Sequence, residues 1–114
     1  MASTFFHVQH EFRAGKAQQW WETAQKAQSP GGGWDEAVTT NLEAGFYNHS
    51  FIATKAGGAE PMVCIWEAKA DCSVEDFQAF IDNNEIAPGN EFLDNAVHKI
   101  APGASVPSAM FPAE

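Results

Sequence analysis

Four stretches of the chain are rich in Phe, Val, Ile, Tyr and Trp and show apolar alternation or short apolar runs. Such residues suit a pleated, half-buried surface, and a period of two residues indicates a strand. The predicted strands are Thr4–Phe12, Phe46–Thr54, Met62–Ala68 and Phe92–Ile100. The second and third are separated by Lys55–Pro61, whose Gly-Gly pair and proline predict a hairpin connection.

Two further segments show the apolar spacing of helices that pack on a sheet. The first is Ala14–Gln28, and the Pro-Gly-Gly-Gly sequence after Ser29 ends it. Its apolar stripe consists of Ala17, Trp20, Trp21, Ala24 and Ala27. The second begins after Ser73, a predicted N-cap with Asp76 three residues later, and ends at Asn83-Asn84.

Three segments have less regular patterns. Trp34–Ala44 is predicted as either a short helix or an ordered loop over the end of the sheet. Trp34 is large enough that we expect it to be buried, as a plug or as a pocket wall. Residues 85–91 contain Pro88-Gly89 and are predicted as a loop. Residues 101–114 contain three prolines and are predicted as an extended tail that docks through Met110 and Phe111.

The element order β-α-β-β-α-β predicts an α+β fold of the ferredoxin-like kind. Its four antiparallel strands are expected in the order 4-1-3-2, with both helices on one face of the sheet. Residues 1–100 would form this domain and residues 101–114 the tail. Both faces of the sheet carry large apolar side chains, and each would cost about 1.5–3 kcal/mol if left in water. We therefore expect the second face to pack in a homodimeric barrel, or alternatively under a tail that folds back over it.

Charge restricts the possible partners. The 114 residues include 15 acidic and 6 basic ones, a net charge of −9. An acidic surface without a Lys/Arg cluster repels phosphates, so we expect no nucleic-acid partner and no docking to an anionic membrane. The N-terminus lacks a basic flank and a long apolar segment, and we expect a soluble, cytoplasmic protein.

The two cysteines fit neither a disulfide framework nor a CxxC metal motif. Cys64 lies inside an apolar strand and is expected to be a small buried hydrophobic residue. Cys72 lies just before a helix start, where the helix dipole is expected to lower its pKa.

Polar side chains interrupt two otherwise apolar strands. Asn48-His49-Ser50 lie in mid-strand, and polar residues at such positions often line a wet cavity. Glu67 has the opposite parity to Trp66 and, if buried, needs a partner such as a histidine. The four histidines, His7, His10, His49 and His98, all fall on predicted strands, and only one of His7 and His10 can share a face with His98.

The small size, element order and two-sided sheet resemble the dimeric α/β-barrel superfamily over residues 4–100. Cys64-Ile65-Trp66-Glu67-Ala68, followed by an acidic helix start, resembles small monooxygenases of the antibiotic-biosynthesis and haem-degrading kind. In these, an Asn, a Trp and a His line a cavity between sheet and helices. Trp66 matches that Trp, Asn48 substitutes from a different strand, and the haem-associated His is missing because residues 71–91 contain none.

With Ser50-Phe51, the same motif is also similar to small ferredoxin-like and stress-responsive proteins, some of which bind divalent nickel. This likeness keeps a metal-binding alternative open. In it, a transition metal (Ni, Cu or Zn) would be held by His10, His49 and His98, with Cys64 or Glu67 as a further ligand.

The leading hypothesis is a homodimer with an aromatic-lined small-molecule pocket that acts as a cofactor-independent monooxygenase-like enzyme. Trp34, Phe46 and Trp66 would shape the pocket around an electron-rich aromatic or quinol-like substrate. Asn48 would donate to a substrate oxygen, and His10 or His49 would move a proton. A non-catalytic, stress-related dimer is the third possibility.

Overall fold

The computed structural model describes residues 3–83, 90–101 and 103–111, and within them a four-stranded antiparallel sheet and three helices. In chain order the elements are β1 (Thr4–Phe12), α1 (Ala17–Gln28), α2 (Trp34–Glu43), β2 (Phe46–Ala53), β3 (Met62–Ala68), α3 (Val74–Ile81) and β4 (Leu93–Lys99). None of the described helices is both long and apolar enough to cross a membrane.

The sheet has the order β2-β3-β1-β4, which read from the other edge is 4-1-3-2. Residues paired in register share a face, and Phe6 pairs with Trp66 on the face that the helices cover. We call this the helix face. Phe5, Glu67 and Tyr47 pair across three strands on the opposite, outer face. β2 and β4 are the edge strands.

Most predicted boundaries hold to within a few residues. β1 and β3 have the predicted bounds, and β2 ends one residue early. β4 is shorter than predicted because Asn90–Phe92 forms a 3₁₀ turn before it. That turn contains the end of the loop predicted at 85–91, and the rest of that loop, 85–89, lies outside the described residues. The start of α1 moves to Ala17 because Gly15 has a left-handed backbone, φ 72°, which a helix does not accommodate.

The third helix starts at the predicted cap. The side chain of Ser73 accepts a hydrogen bond from the Asp76 backbone N–H at 3.1 Å, which satisfies one of the free donors of the first turn. Glu75 and Asp76 add negative charge where the helix dipole is positive.

The segment at 34–44 is a helix of ten residues rather than a loop. Gly33 and Gly45, with φ of 91° and 92°, allow the chain to enter and leave it through left-handed conformations. Thr39 and Thr40 argue against a helix by propensity, but both are exposed there and crowd nothing. The element order is therefore β-α-α-β-β-α-β, one helix more than predicted.

The core lies between the helix face and α3. Phe6 stacks on Phe77 with ring centroids 4.3 Å apart, and both side chains are fully buried. The buried cluster comprises Phe6, Val8, Cys64, Trp66, Ala68, Phe77, Ile81 and Val97. Cys64 is thus a buried core residue, as predicted.

Part of the outer face is covered by the C-terminal tail. Glu67 has no exposed surface, and its carboxylate accepts hydrogen bonds from the backbone N–H of Met110 at 2.7 Å and of Phe111 at 3.2 Å. It also accepts from the Ser3 hydroxyl and pairs with His49 Nε2 at 2.8 Å. The expectation that a buried Glu67 needs a histidine partner is confirmed. The tail therefore docks near its end, as the alternative to a second copy supposed, while the homodimer stays a prediction.

Burial by itself would raise the pKa of Glu67, but the hydrogen bonds from Met110, Ser3, His49 and Phe111 outweigh it and lower the pKa below its ordinary value of 4.5. Desolvation is the largest single contribution, but the four hydrogen bonds together exceed it. A lowered pKa means that Glu67 stabilises the fold above pH 4.5 and that this contribution is lost as the pH falls through the folded-state pKa.

We expect Glu67→Gln to destabilise the fold by about 1.5–3 kcal/mol at pH 7, since an amide presents one acceptor oxygen where the carboxylate has two. Urea unfolding measures this loss, and it should shrink as the pH falls below 4.5. Glu43→Gln, at an exposed position, is the matched control and should change stability by less than about 0.5 kcal/mol. Equal effects of the two substitutions would contradict the role given to Glu67.

Candidate functional site

A cavity of about 340 Å³ lies on the helix face, between the sheet and the three helices. Trp34, Phe46 and Trp66, the three residues predicted to shape a pocket, all line it. Trp66 is only 5% exposed, whereas Trp34 is 43% exposed. The prediction that Trp34 is buried is therefore wrong, because α2 carries this side chain at the rim of the cavity.

Aromatic contacts hold the cavity walls in place. Phe46 stacks on Phe80 with centroids 3.9 Å apart, and Trp66 meets Phe80 edge-on at 5.4 Å. On the opposite side, Trp20 of α1 stacks on Phe51 at 5.7 Å. Aromatic pairs in these geometries add about 0.5–1.5 kcal/mol each beyond their buried area. The walls are therefore preformed.

Two buried polar atoms in the cavity lining have no hydrogen-bond partner. These are the indole nitrogen Nε1 of Trp66 and the amide oxygen Oδ1 of Asn41. Leaving a buried donor or acceptor unsatisfied costs about 1–3 kcal/mol, and most buried polar groups in native proteins are paired. Both residues line the cavity, but the two atoms themselves have almost no accessible surface.

Asn41 lines the cavity but was not among the predicted site residues. Its signal was present, because Trp34, Ala37, Val38 and Asn41 follow the i, i+3, i+4, i+7 spacing of one helix face, and all four line the cavity. A polar residue in such a stripe is a candidate ligand contact. The spacing defines a helix face only if residues 34–43 form a helix, and the sequence pattern left a loop equally open there.

His10 lines the cavity as a neutral side chain. It is buried, and burial lowers its pKa below the ordinary value of 6.5, although its hydrogen bond to Asn95 acts in the opposite direction. Asn95 Nδ2 donates to Asp82 Oδ1 at 2.9 Å, so Asn95 Oδ1 is left to face His10 Nδ1. Nδ1 therefore carries the proton and donates it, and Nε2 is free to act as a base.

Asn48 and Cys64 form a second polar contact in the cavity lining. The Asn48 amide donates to the Cys64 sulfur at 3.7 Å, and its oxygen accepts from the Ser50 backbone N–H at 3.2 Å. Burial raises the pKa of the Cys64 thiol to about 12, so the sulfur stays protonated. Asn48 opposes this rise, as does the Trp66 indole N–H, which is turned towards the sulfur but does not reach hydrogen-bond geometry.

His49 borders the cavity but is engaged elsewhere. It lies at a β-bulge, where the register of β2 on β3 shifts between Asn48 and Ser50. His49 is the extra residue of this bulge, and its ring is turned to the outer face, where Nε2 is hydrogen-bonded to Glu67. Of the two predicted proton carriers, His49 is held by Glu67 through Nε2, whereas His10 lies on the helix face with Nδ1 held by Asn95.

The structure does not bring the proposed metal ligands together. His10 lies on the helix face, His49 pairs with Glu67, and His98 is exposed beside His7 on the outer face, with ring centroids 6.1 Å apart. Across residues 3–83, 90–101 and 103–111, no group of three or more His, Cys, Asp or Glu side chains is placed to hold a metal ion. His7 and His10 are three residues apart on β1, so their side chains lie on opposite faces of the sheet. His98 pairs with His7 and therefore lies on the face opposite to His10.

The pKa of Cys72 shifts in the direction opposite to the one predicted. Its pKa is raised, first by partial burial and then by the negative charge of Asp76, and Lys99 only partly offsets this. The prediction of a lowered pKa is therefore wrong. It overlooked the acidic residues that the first turn of α3 places beside the thiol.

The lowered pKa of His10 predicts a pH-dependent stability. Between its folded-state pKa and 6.5 the unfolded chain binds a proton that the folded chain does not, so the fold loses stability as the pH falls. His10→Gln removes the titrating ring, and urea unfolding at pH 7.5 and 5.5 should show a flatter dependence for the variant. Equal slopes for the two proteins would contradict a buried, neutral His10.

No curated protein matches the chain, and no solved structure does. A family model described as a domain of unknown function, DUF8652, matches residues 5–106, which is most of the chain. The chain therefore belongs to the DUF8652 family of domains of unknown function.

Proposed function

We propose that the protein binds a small, neutral, largely aromatic molecule in the cavity of the helix face. The observation that carries this proposal is the cavity lining itself, which is mainly apolar and rich in aromatic side chains and includes no Asp, Glu, Lys or Arg among the described residues. The cavity volume, about 340 Å³, falls in the range of small-molecule sites in proteins.

The chemistry that best suits this site is oxygenation without a cofactor. An electron-rich aromatic ring with an activated CH₂ group can supply both electrons itself. One oxygen atom of O₂ then forms a C=O group at that carbon, and the other leaves as water with the two hydrogens. The protein's part is to remove the first proton, and His10 Nε2 supports that role because Nδ1 is held by Asn95.

The proposal includes the quaternary arrangement expected from the ferredoxin-like, dimeric α/β-barrel resemblance. Ile52, on the outer face of β2, is 54% exposed, and Val63 and Ile65 beside it are only partly buried. An apolar surface of this kind favours association with a second copy of the chain. The docked tail near Glu67 covers the adjoining part of this face, where a second copy would also pack.

Anthrone is a suitable probe of oxygenation because its CH₂ group becomes the C=O of anthraquinone. We expect one O₂ consumed per anthraquinone formed, at a rate that a metal chelator does not change. His10→Gln should slow the reaction by about 100-fold or more, since general-base catalysis typically contributes that much. An oxygen electrode and absorbance spectroscopy measure both quantities.

The matched control is His98→Gln, because His98 is exposed on the outer face, away from the cavity. It should leave the rate unchanged. If the wild type converts anthrone no faster than buffer does, this oxygenation is excluded and only ligand binding remains of the proposal. If His98→Gln slows the reaction as much as His10→Gln, His10 is not the base.

A further inference from the structure

We infer that His7 and His98 form a metal-binding site on the outer face, where their two imidazoles chelate one divalent ion of the Zn²⁺ and Cu²⁺ kind. The two residues lie directly opposite each other on the antiparallel strands β1 and β4. Their ring centroids are 6.1 Å apart. The cavity lies on the other face of the sheet, so this site does not depend on the proposed function.

The spacing of the two rings suits a chelate. Directly paired residues on antiparallel strands project from the same face, with Cβ atoms about 4.5–5.5 Å apart. Two imidazoles bound side by side to one ion, at metal–nitrogen distances of about 2.0–2.1 Å, have ring centroids roughly 4.5–5 Å apart. An approach of roughly 1 Å therefore brings the rings from 6.1 Å to chelating distance. His98 is exposed, so rotation of its side chain provides this movement.

Both rings are available as ligands. His10 and His49 are already engaged by other side chains. Within residues 3–83, 90–101 and 103–111, neither His7 nor His98 makes a hydrogen bond or an ion pair. An ion bound between them therefore displaces no existing polar contact. The neutral imidazole nitrogen is a common ligand of zinc and copper.

The charges around the pair favour a cation. The chain carries a net charge of −9, which attracts divalent ions. Lys99, next to His98 in sequence, has the opposite parity and reaches Asp71 at 3.9 Å, so its ammonium group lies on the helix-face side. The nearest cationic side chain in sequence therefore does not oppose the ion.

The site is of the exchangeable kind. Structural and catalytic zinc sites have three or four protein ligands. Among the described residues no group of three or more His, Cys, Asp or Glu is placed to hold a metal ion, so water fills the remaining positions. Two protein ligands bind more weakly than four and release the ion more readily. The fold itself does not depend on the ion.

Calorimetric titration of the full chain with Zn²⁺ at pH 7.5 tests the inference. We expect one ion bound per chain. His7→Gln and His98→Gln should each weaken binding by about 10-fold or more, because the second imidazole binds intramolecularly once the first has captured the ion. Urea unfolding verifies that each variant is folded.

The matched control is Glu11→Gln. Glu11 is exposed and pairs with Asp94 across the same two strands, on the same face as His7. It lies about 13 Å along the strand from His7, beyond the screening length of about 8 Å at physiological ionic strength. Its loss removes a negative charge but no ligand, and the Zn²⁺ affinity should stay within about 2-fold of the wild type.

A second measurement uses the unmodified chain. In long-range ¹H–¹⁵N spectra, Zn²⁺ should move the ring signals of two histidines over the same concentration range. These should be the signals that His7→Gln and His98→Gln remove, while the signals of His10 and His49 stay in place.

Three results would overturn the two-histidine site. One is a wild-type chain that binds no Zn²⁺, and another is a histidine variant that keeps the wild-type affinity. The third is an equal loss of affinity in Glu11→Gln, which would mean that charge alone attracts the ion. Each of these results leaves the proposed function of the cavity untouched, and failure of anthrone oxidation leaves the metal site untouched.

Discussion

The stacking of α3 on the sheet determines both the core and the site. Phe77 packs flat on Phe6 of the central strand β1, and its neighbour Phe80 packs flat on Phe46 at the edge strand β2. One short helix thus joins the middle of the sheet to its edge. Trp66 lies edge-on to both rings, so the same contacts that bury the core hold this indole in place. Loss of these contacts would remove a wall of the cavity as well as the core.

The polar side of the site depends on residues beyond its lining. Gln78 donates both to Asp82 Oδ2, at 3.0 Å, and to the Asn95 backbone oxygen, at 2.9 Å. Asp82 in turn fixes the amide of Asn95, which fixes the tautomer of His10. The C-terminal end of α3 therefore orients a base on β1 through a chain of hydrogen bonds. Supporting contacts of this kind are needed wherever a reactive group must hold one orientation.

Much of the fold was predictable from local pattern. Strand alternation gave β1 and β3 their bounds, and the Ser73 cap located the start of α3, because these signals depend on neighbouring residues alone. The pocket-shaping role of Phe46 and Trp66 also followed from their strands and types, and both line the cavity. Such residues are recognisable because size and parity restrict where they can lie.

What could not be predicted depends on contacts distant in sequence. Asn41 and Trp66 are twenty-five positions apart and border one cavity only because α2 covers the helix face. The position of the His49 ring depends on a bulge, which reverses parity without any local signature. The raised pKa of Cys72 depends on side chains that surround it in space. Propensity and spacing do not carry this information.

The bond between Glu67 and the tail has a consequence for how copies of the chain associate. The tail and a second copy would use the same face of the sheet, so docking of one competes with docking of the other. The apparent dissociation constant of such a dimer is then the intrinsic constant divided by the square of the fraction of chains whose face is free, because both partners need a free face. The tail segment at Met110 and Phe111 would act as a built-in competitor, and association would become sensitive to anything that changes the charge of the Glu67 carboxylate.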